Sequence, residues 1–142
     1  MATPDTRQIG KIFLDLGVIR QGQLQAALAE QRRGGGRLGQ ILLEREMISE
    51  EDLSRALAVQ KGLDWLPSTA LKASDEALGL VDAGTARAFG ALPLEVVNGQ
   101  LRLVVSDPDV LPLLGDLEAI TGYPLQVVLA DDTALREAVE SS

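Results

Sequence analysis

Apolar residues in the first sixty positions recur every three or four places, the spacing that lines one face of a helix. That pattern is written twice. Residues 8–31 read QIGKIFLDLGVIRQGQLQAALAEQ and residues 37–60 read RLGQILLEREMISEEDLSRALAVQ; at this offset of 29, nine of 24 positions are identical. They are Gly10/Gly39, Ile12/Ile41, Leu14/Leu43, Ile19/Ile48, Leu24/Leu53, Ala27/Ala56, Leu28/Leu57, Ala29/Ala58 and Gln31/Gln60. Each copy predicts a helix, a short turn and a second helix. In the second copy the first helix spans Arg37 to Arg45 and Ser49 is the N-cap of the next. Glu50, Glu51 and Asp52 then stand where the helix dipole favours negative charge. That helix runs to about Gln60, with Gly62 as its stop. In the first copy Gly17 and Gly22 bracket the turn. A duplicated helical hairpin explains the Leu, Ile and Ala positions as core. It leaves two things over. Gly10 and Gly39, expected in the first turn of a helix, cost about 1 kcal/mol each against Ala, and a Gln closes both copies. Small residues let a ligand approach the backbone, and Gln offers donors and an acceptor to a base edge.

From Leu92 the period changes from helical to alternating. LPLEVV, Asn98-Gly99 and QLRLVV make a hairpin with a type I′ turn signal, closed by Asp107-Pro108. Helical spacing returns from Pro112-Leu113 to Thr121, Gly122 ends it, and Tyr123 to Leu129 is a third strand. Asp131 or Asp132 caps a final helix over about Thr133 to Glu140. Ser74 to Phe89 predicts one or two short helices. The expected fold is α+β. A helical lobe of two tandem helix-turn-helix repeats occupies residues 1–62, and a small α+β lobe with a three-stranded sheet occupies 63–142. Gly62 to Ala73 connects them.

Composition narrows the chemistry. The 142 residues, 46% hydrophobic and 24% charged, suit one globular domain or two small lobes. A chain of this length buries roughly 70% of its unfolded surface and needs no staple. With no Cys and no His, thiol nucleophiles, Ser-His-Asp triads and Cys/His zinc sites are excluded. No Asp/Glu run has EF-hand spacing, so neither metal nor cofactor is expected. No GxxxxGK[ST] occurs: the only Gly-Lys is Gly10-Lys11, followed by Ile12. The second lobe shows no catalytic constellation, since its acidic residues sit at turns and helix ends, so the chain is expected not to be an enzyme.

Charge divides the two halves. The net charge of -8 and the 3% of aromatic residues argue against a nucleic-acid partner. Residues 1–60 carry eight Lys/Arg and eight Asp/Glu; residues 61–142 carry five and thirteen. An anionic ligand is therefore expected on the first half, where Arg32, Arg33 and Arg37 surround Gly34-Gly35-Gly36. The same cluster also suits a solvated inter-helix loop. No apolar run approaches the roughly 18 residues of a membrane span, and Met1 to Gln8 lacks the apolar core of a secretory signal. A cytoplasmic, monomeric domain without membrane insertion is expected.

Two segments of the form RLGxxL…LxxxLxxQ, separated by the five residues Arg32 to Gly36, resemble the MshEN-type N-terminal domain of type II secretion and type IV pilus assembly ATPases. The resemblance continues through Leu92 to Leu94 and NGQLRLVVSDP at Asn98 to Pro108. It implies a regulatory domain, with the ATPase motor or an inner-membrane platform protein as partner. It also implies a site for cyclic di-GMP, each motif handling about half of the dinucleotide. Carried over, the contacts fall on Gln8, Ile9, Gly10, Leu24, Leu28 and Gln31, then Arg37, Leu38, Gly39, Leu53, Leu57 and Gln60. Arg7, Arg32 and Arg33 stand close by as further candidates. Arg can fork to phosphate or guanine, and the leucines would form an apolar bed for the bases. Three positions depart from the pattern: Gln8 replaces an Arg, Ile9 a Leu, and Glu46 a turn Gly. A hydrogen bond to a charged group contributes roughly 1.5–3 kcal/mol, so the change at Gln8 is expected to weaken binding about ten- to hundredfold. Arg7 is adjacent but points about 100° away around a helix. The alternative reading is a docking domain of the same family that has lost the nucleotide. A helix-turn-helix DNA binder is a third, opposed by the charge.

Overall fold

The structure is a computed structural model and describes residues 5–141; the side chains of residues 5–8 lie outside that description. Its contacts divide the chain between Gly62 and Leu63 into two compact units.

The first unit is helical: α1 (Asp5–Asp15), α2 (Gln21–Gly34), α3 (Leu38–Glu44) and α4 (Glu50–Lys61). The repeats interlock rather than stack, with α1 packed on α4 and α3, and α2 packed on α3. Phe13, Leu38, Leu42 and Ala56 are fully enclosed at the centre. Both repeats end their first helix with the same pair of bonds. Gly17 N–H donates to Leu14 O (3.0 Å) and Val18 N–H to Phe13 O (3.2 Å). Glu46 N–H donates to Leu43 O (3.0 Å) and Met47 N–H to Leu42 O (2.9 Å). This is the Schellman closure, which requires a left-handed residue after the helix. Gly17 (φ 73°) and Glu46 (φ 58°) fill that position.

The second helix of each repeat starts alike too. Ser49 Oγ accepts from Asp52 N–H (3.1 Å) while Asp52 Oδ2 accepts from Ser49 N–H (3.0 Å), a reciprocal cap. At the matching place Arg20 N–H donates to Gln23 Oε1 (2.9 Å). Gly62, at φ 69°, closes α4 as expected.

Three local expectations are corrected. Gly22 lies inside α2, so the first turn ends at Arg20 rather than at Gly22. α2 also runs on to Gly34, three residues past its repeat. Gly39 is in the first turn of α3, but Gly10 is mid-helix, because α1 already begins at Asp5. The second copy starts differently: Gly35 and Gly36, both at positive φ, separate α2 from α3, so α3 begins only at Leu38.

The second unit is α+β, as expected. Its sheet has strands β1 (Asp64–Trp65), β2 (Ala91–Val97), β3 (Gln100–Val105) and β4 (Leu125–Leu129), in the order β1-β4-β3-β2. β2 and β3 form the antiparallel hairpin, with Asn98 (φ 52°) and Gly99 (φ 77°) both left-handed, as a type I′ turn demands. β4 pairs parallel to β3, and β1 parallel to β4. The sheet among the described residues is therefore four-stranded, not three. β1 occupies the segment expected to be connection only, and two residues are too few to show a period.

Leu103, Val104 and Val105 of β3 are fully buried on both sides of the sheet, so the second half of this inner strand reads as an unbroken apolar run, while Arg102 before it pairs with Glu95 of β2. Short helices flank it. α5 (Asp75–Leu78) is capped by Ser74 and α6 (Ala83–Phe89) by Asp82. α7 (Gly115–Thr121) ends at Gly122, and α8 (Asp132–Ser141) starts where Asp131 Oδ1 accepts from Ala134 N–H (2.6 Å). The helix expected from Pro112 begins later. Pro108–Leu113 is a 3₁₀ segment, since Pro112 has no N–H for an α-helical bond. No described helix is long and apolar enough to cross a membrane.

Candidate functional site

The repeat geometry answers the question left by the two glycines. A Cβ on Gly10 would lie 3.0 Å from Leu24 Cδ1 and 3.4 Å from Leu38 Cδ2. A Cβ on Gly39 would lie 2.6 Å from Leu53 Cδ1 and 3.9 Å from Phe13 Cζ. Gly10–Leu24 and Gly39–Leu53 are the same pair in the two repeats. Each glycine lets the first helix of its repeat come close to a leucine of the second. Packing between helices thus gives each glycine a role within the fold itself.

The other motif residues sort into two layers. Ile9, Leu24 and Leu38 are buried in one cluster with Phe13 and Leu42. Leu28, Leu53 and Leu57 pack against that cluster and stay half-exposed. These three offer the apolar surface on which a flat ring can lie. Gln31 and Gln60 are half-buried at the ends of their repeats, and Arg37 is exposed at the N-cap of α3. The structure thus brings the leucines of both copies into one helical unit. The side chains of Arg7 and Gln8 lie outside the described residues. Arg32 and Arg33 are exposed in the last turn of α2, where positive charge suits the helix dipole.

Gln31 turns back on its own loop. Its Nε2 donates to Gly36 O (2.8 Å), and its backbone O accepts from Gly35 N–H (2.7 Å). Gly35 (φ 74°) and Gly36 (φ 96°) are both left-handed. Two bonds from one residue therefore close the spacer that leads into Arg37.

Sequence reasoning passed over one polar link. Arg45, the C-cap of α3, pairs with Glu30 of α2. Beside this pair is a cavity of about 210 Å³, with Ala26, Ala29 and Met47 in its wall and Arg33 at its edge. Nothing in the spacing of residues 30 and 45 signals such a contact. In the second unit a cavity of about 190 Å³ is lined by Arg87, Ser106, Asp132 and Arg136. Ser106 Oγ donates to Asp132 Oδ1 (3.0 Å), and Arg136 pairs with the same carboxylate. Among the described residues no cluster of three or more acidic side chains could hold a metal ion.

Comparison with known proteins places this architecture. The family model for the MshEN domain matches residues 61–142, more than half the chain. The type IV pilus assembly ATPase PilB of Thermus thermophilus is 40% identical over 102 residues, which is 71% of this chain and 11% of that protein. PilB of Myxococcus xanthus is 26% identical over 133 residues, 94% of this chain and 24% of that protein. The bacteriophage adsorption protein B of Escherichia coli K12 is 34% identical over 119 residues, 84% of this chain and 15% of that protein. The chain thus spans a quarter or less of these curated relatives. Among solved structures, MshE with cdg matches at a TM-score of 0.73 and 27% identity, covering 94% of this chain and 96% of that one. The N-terminal domain of XpsE shares the fold at a TM-score of 0.64 and 18% identity, covering 94% and 92%. With the family model lying over the second unit and the solved relatives spanning both, the chain belongs to the MshEN domain family.

Proposed function

We propose that this chain is a regulatory domain that binds cyclic di-GMP through its paired motifs, residues 8–31 and 37–60, in the cytoplasm. We propose further that it serves as the N-terminal part of a type II secretion or type IV pilus ATPase, biasing the attached motor rather than catalysing. The likeness to MshE with cdg over 94% of the chain carries the reading. The geometry supports it: Leu28, Leu53 and Leu57 supply half-exposed apolar surface, and Arg37, exposed at the N-cap of α3 in the same helical unit, supplies a guanidinium. That guanidinium would fork to a guanine or a phosphate. The acidic second unit would repel a dianion and offer a surface to a protein partner.

The two motifs are unequal, since Arg37 has no Arg counterpart at Gln8. Arg37→Ala should weaken binding about ten- to hundredfold, the loss of one charged hydrogen-bonding group. Gln8→Arg should strengthen it. Calorimetric titration of the parent and both variants with cyclic di-GMP decides the matter, and equal affinities across the set would refute this site. Gln8 favours a second reading, a family member that docks on an inner-membrane platform protein without the nucleotide. No binding even by Gln8→Arg would select it.

A further inference from the structure

We infer that the exposed apolar stripe on α7, together with the 3₁₀ segment before it, is a docking surface for a basic amphipathic helix of a partner protein. The inference names the surface behind the partner role proposed above for the second unit and rests on that role; it is independent of cyclic di-GMP. Ile120 is 64% exposed and Leu113 57%, so each leaves most of a large apolar side chain in water. Pro108–Leu113 runs into α7 through Leu114, whose backbone is already helical (φ -78°, ψ -10°). Leu113 and Ile120 stand seven residues apart, about two helical turns, and so share a face. Leu114 and Leu117 are buried and anchor the opposite side. The far end of α7 is tied down as well: Glu118 Oε2 accepts from Leu125 N–H of β4 (3.0 Å), and Thr121 Oγ1 donates to Leu117 O (2.7 Å). The stripe is thus presented on ordered backbone, which lowers the entropy a partner must remove.

Charge selects the occupant. Single exposed apolar residues are ordinary on a protein surface; this pair differs in its setting. Residues 103–135 hold six Asp/Glu and no Lys or Arg. Exposed Asp116 stands on α7 between the two apolar positions. Such a surface repels an anionic lipid or a nucleic acid, and it repels the same surface on a second copy of this chain. A helix with Leu or Ile on one face and Lys or Arg beside it satisfies both features. Its apolar side chains cover Leu113 and Ile120 while its cations meet Asp116 and the acidic residues around it.

The probe is a fluorescent synthetic helix of Leu and Lys, titrated with the full chain in the absence of nucleotide, beside a Leu/Glu helix of equal length. The Lys helix should bind, more weakly as NaCl is raised, and the Glu helix should not. Amide NMR signals of residues 109–123 should shift. Leu113→Ser and Ile120→Ser should each weaken binding about five- to thirtyfold, with Tm unchanged because both side chains lie at the surface. Val59→Ser removes an equally exposed side chain from α4 (57%) and should leave binding as it was. Equal affinities for the parent and the two Ser variants would overturn the inference, as would a Glu helix that binds as well as the Lys helix. Self-association of the parent that Ile120→Ser abolishes would make a second copy the occupant and overturn it too. Shifts gathered elsewhere within residues 63–142 would overturn this assignment alone, whereas no binding to the second unit at all would sink the partner role with it.

Discussion

Replacing Glu46 by Gly should stabilise the helical unit. Glu46 holds the left-handed position of a Schellman closure at φ 58°, where the first repeat has Gly17 at φ 73°. Its N–H bond to Leu43 O (3.0 Å) and the following bond from Met47 to Leu42 O (2.9 Å) require that conformation. An L-residue there costs about 1–2 kcal/mol. Glycine removes the strain but adds about 0.4–1 kcal/mol of chain entropy to the unfolded state. The net gain is about 0.5–1 kcal/mol. For a unit of this size 1 kcal/mol moves Tm by about 4–8 °C, so Tm should rise by about 2–8 °C.

Two controls bracket the argument. Glu46→Ala keeps an L-residue in the left-handed well and should stay within about 0.5 kcal/mol of the parent. Gly17→Ala meets no neighbouring atom within 4 Å. It should therefore lose about 0.5–1 kcal/mol through backbone strain alone. Urea unfolding, followed through NMR signals from α1 to α4, reports on this unit. If Glu46→Ala stabilised as much as Glu46→Gly, or if Gly17→Ala cost nothing, the backbone account would be wrong and the Glu46 charge would be the cause.

Gly39→Ala should gain about 1 kcal/mol of helix propensity and lose about 1–3 kcal/mol to overpacking. Its Cβ, 2.6 Å from Leu53 Cδ1, must push that half-exposed side chain aside. Denaturation should show a loss of at most about 2 kcal/mol, while NMR shows Leu53 displaced; an unmoved Leu53 would contradict the packing. Ser49→Ala removes one of the two reciprocal cap bonds and should cost about 1 kcal/mol, measured by urea unfolding. Asp82 accepts from Thr85 N–H (2.7 Å) and from Thr85 Oγ1 (3.1 Å), bonds that hold its carboxyl below the usual aspartate range. Its folded pKa is depressed, so the cap's stabilisation is present above the unfolded value and is lost as pH falls through the folded one. The stability difference between parent and Asp82→Ala should therefore shrink on acidification below about pH 4, and a difference independent of pH would refute the cap.

Local physics made much of this protein legible before any coordinates. The duplicated motif named its own helices, since period and caps are neighbour-range signals: Ser49, Gly62 and the Asn98-Gly99 turn act within a few residues of themselves. Alternation from Leu92 separated the sheet lobe from the helical one, and the match to the MshEN domain bears out the resemblance read from the motifs. Where sequence reasoning failed, distance in the chain was the cause. β1 is too short to carry a period and exists because Asp64 and Trp65 lie beside Val128 and Leu129. The packing role of Gly10 and Gly39 was illegible because the leucines that fill their Cβ space lie fourteen residues on, across a turn. The bond from Gln31 Nε2 to Gly36 O likewise depends on how the glycine spacer folds. Periodicity assigns a residue to a face of an element; only tertiary packing decides which atoms that face meets, because those neighbours come from other elements.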